Sequence, residues 1–479
     1  MQSRRRRALG ATSGLLLAIA ACSSAPHPSA SPPTGASVPG GEASESSPPD
    51  SSSSSPSGAA TWVTWGHDGA RSGATDDGPA AQGLHQSWAS ETLDGDVYGE
   101  ALVVGDEAIV ATTNDSVYAF DAATGTRRWQ SSVGTPVPGS SLPCGDVDPV
   151  GITSTPLADP ATNRLYVVAM VQPTHHELFA LTLDTGSVVS HRTIDAPSAD
   201  PAVHNQRGAL ALANGLIYIP FGGRYGDCGD YKGRLVAAAA DGTANEIYYE
   251  VRAHREGGIW APGGPVITSD GSLYVATGNS DGRQNFDDGN AVLHLTSDLS
   301  VTDRFAPADW AKLNATDADV GTTSPALLDG QRVFQMGKSG IGYLLDAGHL
   351  GGVGGDLHHE QICDRVMGGL AHDGTTVFIP CSGQLEAVSI TDTTFAKRWS
   401  TSVPNPGPPV VAGALVWLLD VGSGTLHALD RSTGKKQFSA QVGAVTHFSA
   451  PSAGDAAVYV AADRQLKAFT GQTSDTPIP

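Results

Sequence analysis

The sequence predicts an all-β protein, an eight-bladed β-propeller of four-stranded antiparallel blades closed by pairing of its N- and C-terminal strands. Three observations predict it. The first is a short pattern that recurs eight times: a β-branched strand, a turn, an aliphatic strand ending near Asp-x-x-Thr-Gly, then a strand carrying an aromatic residue. The second is composition. With 58 Gly, 31 Pro, 40% hydrophobic and 16% charged residues, the chain is too rich in turn formers for a helical protein and too apolar for disorder. The third is the period-2 alternation of apolar and polar residues inside each copy, bounded by Gly or Asp turns, which reads as small antiparallel sheets. At about 150 residues per domain a chain of 479 residues would hold three domains, but a sustained repeat overrides that count.

The copies run in order along the chain. The clearest are Ser116–Gln130 (SVYAFDAATGTRRWQ) and Gly424–Ser439 (GTLHALDRSTGKKQFS). Degenerate copies stand at Glu177–Ser187, Gly233–Thr243, Asn290–Leu299, Gly342–Val353, Gly383–Ser400 and Arg464–Gln472. A sheet of this kind buries only one face by itself, and radial packing of eight copies buries both while leaving short edges. An open solenoid is the rival, but no polar capping repeat is present. The last copy stops after Phe469 without an outer strand, and the stretch Gln86–Asp94 (QSWASETLD) is positioned to supply it.

Residues 1–21 read as a signal peptide, with Arg4–Arg7 as the basic region and Leu9–Ala21 as an apolar stretch too short to span a membrane. Ile19-Ala20-Ala21-Cys22 resembles a bacterial lipobox, which implies lipidation of Cys22, export and anchoring to the outer face of a membrane. Residues 22–60 are a tether in which Ser and Pro predominate, unable to form a core. Its r.m.s. reach as a coil is roughly 30 to 40 Å. The propeller is expected over 61–471, with 472–479 as a short tail.

Four further cysteines, Cys144, Cys228, Cys363 and Cys381, make an even number in an oxidising compartment, so two disulfides are expected. Of three pairings, Cys363 with Cys381 closes the shortest loop, worth about 3 kcal/mol, leaving Cys144 with Cys228. A metal site lacks a Cys-x-x-Cys pair, and the adjacent pairs His175-His176 and His358-His359 are expected in loops or at the surface. The net charge of −21 excludes an electrostatic nucleic-acid binder.

The Asp-x-x-Thr-Gly-x-x-x-Trp copies, the opening Trp65–Ala74 (WGHDGARSGA) and the eightfold count resemble the pyrroloquinoline-quinone-type (PQQ-like) propeller repeat family over 62–471. Two branches of that family are quinoprotein dehydrogenases and a cofactor-free lipoprotein that assists β-barrel assembly. In the resemblance the Asp and Thr-Gly make the strand turn and the Trp packs between blades. Ile259–Val266 (IWAPGGPV) followed by Leu273–Ser280 (LYVATGNS) is similar to the quinoprotein segment in which a Trp lies against the quinone and an Asn joins the calcium shell, which implies Trp260 and Asn279. Gln335–Ala347 likewise implies Lys338 at a quinone carbonyl, and Asp317–Ala326 implies Asp317 or Asp319 as the base that takes the alcohol proton. Against the enzyme branch, the chain has no adjacent Cys-Cys pair and no Cys-x-x-Cys-His for haem, and no residue presents itself as the calcium-binding Glu. Trp260, Asn279 and Lys338 read equally as turn and packing residues.

Two more segments draw notice. Asn279–Asn290 is rich in oxygen donors without the EF-hand order, and reads as a solvated acidic loop. Leu142–Leu157 and Phe221–Arg234 each carry one Cys and, cross-linked, would form a rigid rim for binding or merely staple two insertions. Neither a nucleophile elbow nor a phosphate-cradling loop is present. The expectation is therefore a surface-anchored, monomeric, non-catalytic scaffold with no cofactor, recognising an envelope protein, peptide or polymer. The alternative is a quinone- and calcium-dependent alcohol or sugar dehydrogenase, or a relict of one, and a cofactor-free polysaccharide-cleaving enzyme is a third reading.

Overall fold

A computed structural model describes residues 61–472. Eight small sheets make up almost all of it, and each contains one of the eight sequence copies. Blade 1 shows the plan: strands Leu102–Val104, Glu107–Ala111, Ser116–Asp121 and Arg127–Ser132 follow one another antiparallel from the axis outward. Blades 2 to 8 begin with innermost strands at Leu157–Asp159, Ala211–Ala213, Val266–Ile267, Ala326–Leu328, Ala371–Asp373, Val410–Ala412 and Ser452–Gly454. Middle strands are buried throughout, whereas outer strands alternate, as in Arg127–Ser132 and Lys436–Gln441. That gradient is what radial packing of amphipathic sheets requires.

The repeat motif acts by a mechanism visible at three blade junctions. Asp121 Oδ1 accepts hydrogen bonds from Thr124 N and Oγ1, each at 2.9 Å, and this turn delivers Gly125 at φ +70°. Trp88, from the neighbouring blade, lies on Gly125 so closely that a Cβ there would stand 2.5 Å from the indole, and its Nε1 donates to Ala122 O at 2.9 Å. Trp129 repeats the arrangement on Gly186 and Leu183 O, and Trp399 on Gly434 and Arg431 O. The Thr-Gly glycine is thus required twice, for its left-handed backbone and for the bare surface that receives the preceding blade's indole.

Blade 8 closes the ring as the sequence predicts. Its outer strand is His85–Ala89, antiparallel to Gln465–Thr470, so the two ends of the folded chain pair with each other. Both expected disulfides are present, Cys144–Cys228 and Cys363–Cys381. Two expectations need correction. His176 is neither loop nor surface: it lies on strand His175–Thr182 at 2% exposure, its Nδ1 2.8 Å from Asp195. The loop 279–290 is solvated only over its middle, where Asp281, Arg283, Gln284 and Asn285 are exposed, because Asp288 is fully buried between Arg252 and Arg304, and Asn290 is buried against Asn314. Two arginines from other strands and loops and a buried amide pair, invisible in local sequence, hold this end of the loop in place. Cys22 and the expected signal peptide and tether lie outside the described residues.

The propeller axis is filled by the chain's own N-terminal segment. Thr61–Trp62 pairs with Leu102–Val104 of blade 1, and Ala74–Thr75 lies parallel to Val410–Ala412 of blade 7. Between them, Val63 O accepts from Ala158 N, Gly69 O from Ile267 N and Ser72 O from His372 N, which reaches blades 2, 4 and 6. At the centre Arg71, 2% exposed, donates to Pro265 O, Leu210 O, Trp65 O and Thr64 Oγ1. The WGHDGARSGA opening is therefore a plug tied to the surrounding blades by backbone hydrogen bonds and by Arg71.

Two buried carboxyl groups make this packing pH-dependent. Glu100 accepts from Trp62 Nε1 and Gly66 N in the plug, and burial pushes its pKa up to about 8. Asp115, fully buried with neither carboxylate oxygen partnered, is pushed up to about 8 by burial and by nearby Asp94. Each group holds its proton in the folded state at pH values where the unfolded chain has released it. The stability they contribute is complete below about pH 4 and is lost as pH rises toward 8, at up to about 1.4 kcal/mol per pH unit per group. Urea unfolding between pH 5 and 8.5 should show stability falling, and Asp115→Asn should flatten part of that slope. An unchanged slope in the variant would show that Asp115 does not carry it.

Candidate functional site

In a propeller whose strands alternate in direction, the connections between blades and the turns between second and third strands emerge at the same end. Four such segments meet around the boundary of blades 4 and 5. The connection from Ile247–Glu250 to Val266–Ile267 brings Glu256 and Trp260, and the loop after Leu273–Ala276 brings Asn279. The connection that follows the short helix Trp310–Ala315 brings Asp317 and Asp319, and the turn after Arg332–Met336 brings Lys338.

These side chains converge. Lys338 Nζ lies 2.5 Å from Asp319 Oδ2 and 2.8 Å from Asp317 Oδ1, and Asp319 Oδ1 accepts from Asn279 N at 2.6 Å. Gly278 lies at the junction: a Cβ there would stand 2.6 Å from Asp319 Oδ1 and 3.0 Å from Trp260 Nε1. All five residues singled out from sequence are thus brought together at one end of the propeller.

Their environments differ sharply. Asp319 is buried, its side chain 3% exposed, and burial raises its pKa despite the opposing pull of Lys338. Asp317 is 68% exposed. Burial pulls the Lys338 ammonium down while Asp319 and Asp317 pull it up further, leaving it above its ordinary value and charged at neutral pH. Glu256 is a residue that sequence reasoning missed. Its Oε2 accepts from Asn279 Nδ2 at 3.3 Å, it is half-buried, and burial raises its pKa. Its backbone is left-handed, φ +72°, and bridges both Lys232 and Ser280. The only local signal was its place before Gly257-Gly258-Ile259-Trp260.

Trp260 is half-buried, backed by Gly222 and Gly258, and its ring lies 6.2 Å from that of Phe448. Beyond Phe448 the Arg207 guanidinium stands 5.8 Å from that ring and 5.7 Å from Tyr98. The arrangement offers a half-exposed aromatic pair, Trp260 and Phe448, with a buried guanidinium against Phe448. An open recess of about 430 Å³ elsewhere, lined by Val133, Val171, Phe179 and His191, contains none of these residues.

A family model described as outer membrane protein assembly factor BamB matches residues 85–286, 208–439 and 328–475, which together cover most of the chain. The chain belongs to the PQQ-like propeller repeat family. Among curated relatives, a polyvinylalcohol dehydrogenase of Sphingopyxis sp. (strain 113P3) is 25% identical over 313 residues, 56% of this chain, and the chain spans only 45% of that protein's length. Among solved structures, quinohemoprotein alcohol dehydrogenase from Comamonas testosteroni superposes with a TM-score of 0.68 at 15% identity, over 88% of this chain and 82% of that one. BamB from Moraxella catarrhalis gives 0.56 at 14% identity, over 83% and 99%. Both structures share the fold, one a dehydrogenase and the other an assembly factor.

The donor set tests the groups that the family implies. The flat face of Trp260 suits a planar ring, and the charge of Lys338 is matched by Asp317 and Asp319. For calcium, which takes six to eight oxygens, the nearby carboxylates are already engaged, Asp319 by Lys338 and Asn279 N, and Glu256 by Arg255 and Asn279 Nδ2. Among the described residues no three His, Cys, Asp or Glu side chains converge as a metal site. The half-exposed face of Trp260 is compatible with a planar ring, and the oxygen donors fall short of a calcium cage.

Proposed function

We propose that this PQQ-like propeller binds a planar quinone against Trp260 and oxidises a hydroxyl-bearing substrate at the same end. The observation that carries the proposal is the convergence of Trp260, Asn279, Asp319 and Lys338 from four separate loops. A bound quinone would supply the two-electron acceptor. Trp260 would orient its plane, and Lys338 would place a fixed positive charge at the edge of the ring, where charge stabilises best when it is already oriented. Asp319 holds that ammonium in place. Asp317, exposed and paired with Lys338, and Glu256, half-buried with a raised pKa and held by Arg255 and Asn279, are the carboxylates that would take a proton from a substrate hydroxyl.

The similarity to an alcohol dehydrogenase fold and to a polyvinylalcohol dehydrogenase supports an alcohol as substrate class. Export with anchoring through Cys22 belongs to the same proposal. Calorimetric titration of the purified chain with pyrroloquinoline quinone, with and without calcium, tests it. The expected result is saturable micromolar binding in both conditions, weakened at least tenfold by Trp260→Ala. Absence of binding would overturn it. The non-catalytic scaffold would then stand as the second reading, favoured by the Cys144–Cys228 disulfide, which braces two long loops at the same end as a rim for an envelope protein, peptide or polymer.

A further inference from the structure

Phe448 has features that blade packing does not explain. It sits in the connection between Lys436–Gln441 and Ser452–Gly454 and adopts φ +61°, a left-handed conformation that bulky side chains avoid and that persists only where the surroundings enforce it. Those surroundings are specific. Arg207 Nη2 donates to His447 O at 3.0 Å, fixing the preceding residue, and Thr446 Oγ1 donates to Val97 O at 2.8 Å. Gly368, itself at φ +97°, lies under the ring: a Cβ there would come within 3.1 Å of both Phe448 Cδ1 and Pro408. Three neighbouring segments therefore hold this ring half-exposed beside Trp260.

The two rings stand 6.2 Å apart, tilted by 37°. A flat guest between parallel aromatic walls needs about 7 Å, twice the contact distance of carbon atoms. A small opening and a flattening of the tilt would admit one. The buried Arg207 guanidinium, 5.8 Å from the Phe448 ring, favours an anionic guest, whereas the charge of Lys338 is already matched by Asp317 and Asp319.

We infer that Trp260 and Phe448 form the two walls of one slot for a fused, planar, anionic aromatic ring, with Phe448 as the wall that determines affinity for it. Under the proposed function the guest is the quinone, and in that respect the inference rests on that reading. Phe448 is a positioning residue, acting by contact with the guest's face.

Quenching of tryptophan fluorescence in the full chain tests this with two probes, pyrroloquinoline quinone and anthraquinone-2-sulfonate, on the parent, Phe448→Ala, Phe448→Leu and Phe448→Tyr. Both probes are expected to bind the parent. Phe448→Ala and Phe448→Leu should each weaken both probes at least tenfold, Leu because it keeps the bulk and loses the flat face, while Phe448→Tyr stays within threefold. Thermal midpoints of the Leu and Tyr variants should match the parent, which separates loss of a wall from loss of fold. If the parent binds neither probe, or if Phe448→Leu binds as tightly as the parent, the slot is overturned. Binding of anthraquinone-2-sulfonate alone, with the same dependence on Phe448, would support the slot while sinking the quinone-cofactor reading.

Discussion

Changing Asp319 to alanine is expected to cost about 3 kcal/mol of stability and to abolish ligand binding at the candidate site. Its side chain is buried and holds the Lys338 ammonium at 2.5 Å, so its removal leaves a largely buried cation with Asp317 as its remaining partner. Breaking a buried pair from one side is costly because the other charge keeps its desolvation penalty without the attraction that offset it. The Asn279 N–H loses its acceptor as well. The double variant Asp319→Ala, Lys338→Met removes both charges and should recover most of the lost stability in urea, yet still fail to bind quinone. That combination separates the two roles of the pair. If the double variant bound normally, the pair would be structural only, and the proposed function would lose its central charge.

A larger loss of stability is expected from Arg71→Ala, which empties the centre of the plug. Pro265 O, Trp65 O and Thr64 Oγ1 lose a charged donor, and Leu210 O keeps only its bond from Thr64. Buried acceptors left unpaired cost about 1–3 kcal/mol each, so a total of about 4 kcal/mol or more is expected, read as the shift of the urea midpoint. Burial lowers the guanidinium pKa only to about 10, so Arg71 is charged at neutral pH and the full loss applies. Arg71→Lys would rescue little, since one ammonium cannot reach acceptors spread around a planar fork. A midpoint unchanged in Arg71→Ala would mean that water replaces the side chain without cost, and that the plug does not tie the blades together.

Much of the architecture is legible in local sequence. Asp121, Thr124 and Gly125 form a turn whatever surrounds them, and alternation in strands such as Ser116–Asp121 follows from the pleat. Because such signals depend on neighbours a few residues away, all eight copies were readable, as was the missing outer strand that His85–Ala89 supplies. The candidate site was half legible. Trp260, Asn279, Asp317, Asp319 and Lys338 stand in segments that resemble the family, whereas Glu256 and Phe448 carry no motif. Both owe their positions to left-handed backbones enforced by contacts from other blades.

By itself, then, the sequence determined the strands, their turns, the number of blades and the two ends that pair, since each follows from short-range stereochemistry and a repeated hydrophobic pattern. Only the tertiary structure decided that residues 61–75 fill the axis, that Asp288 and His176 are buried, and that Lys338, Asp319 and Trp260 meet beside Phe448. Those outcomes depend on which loops a closed ring of eight blades brings to one end, a long-range consequence of closure that no segment encodes alone.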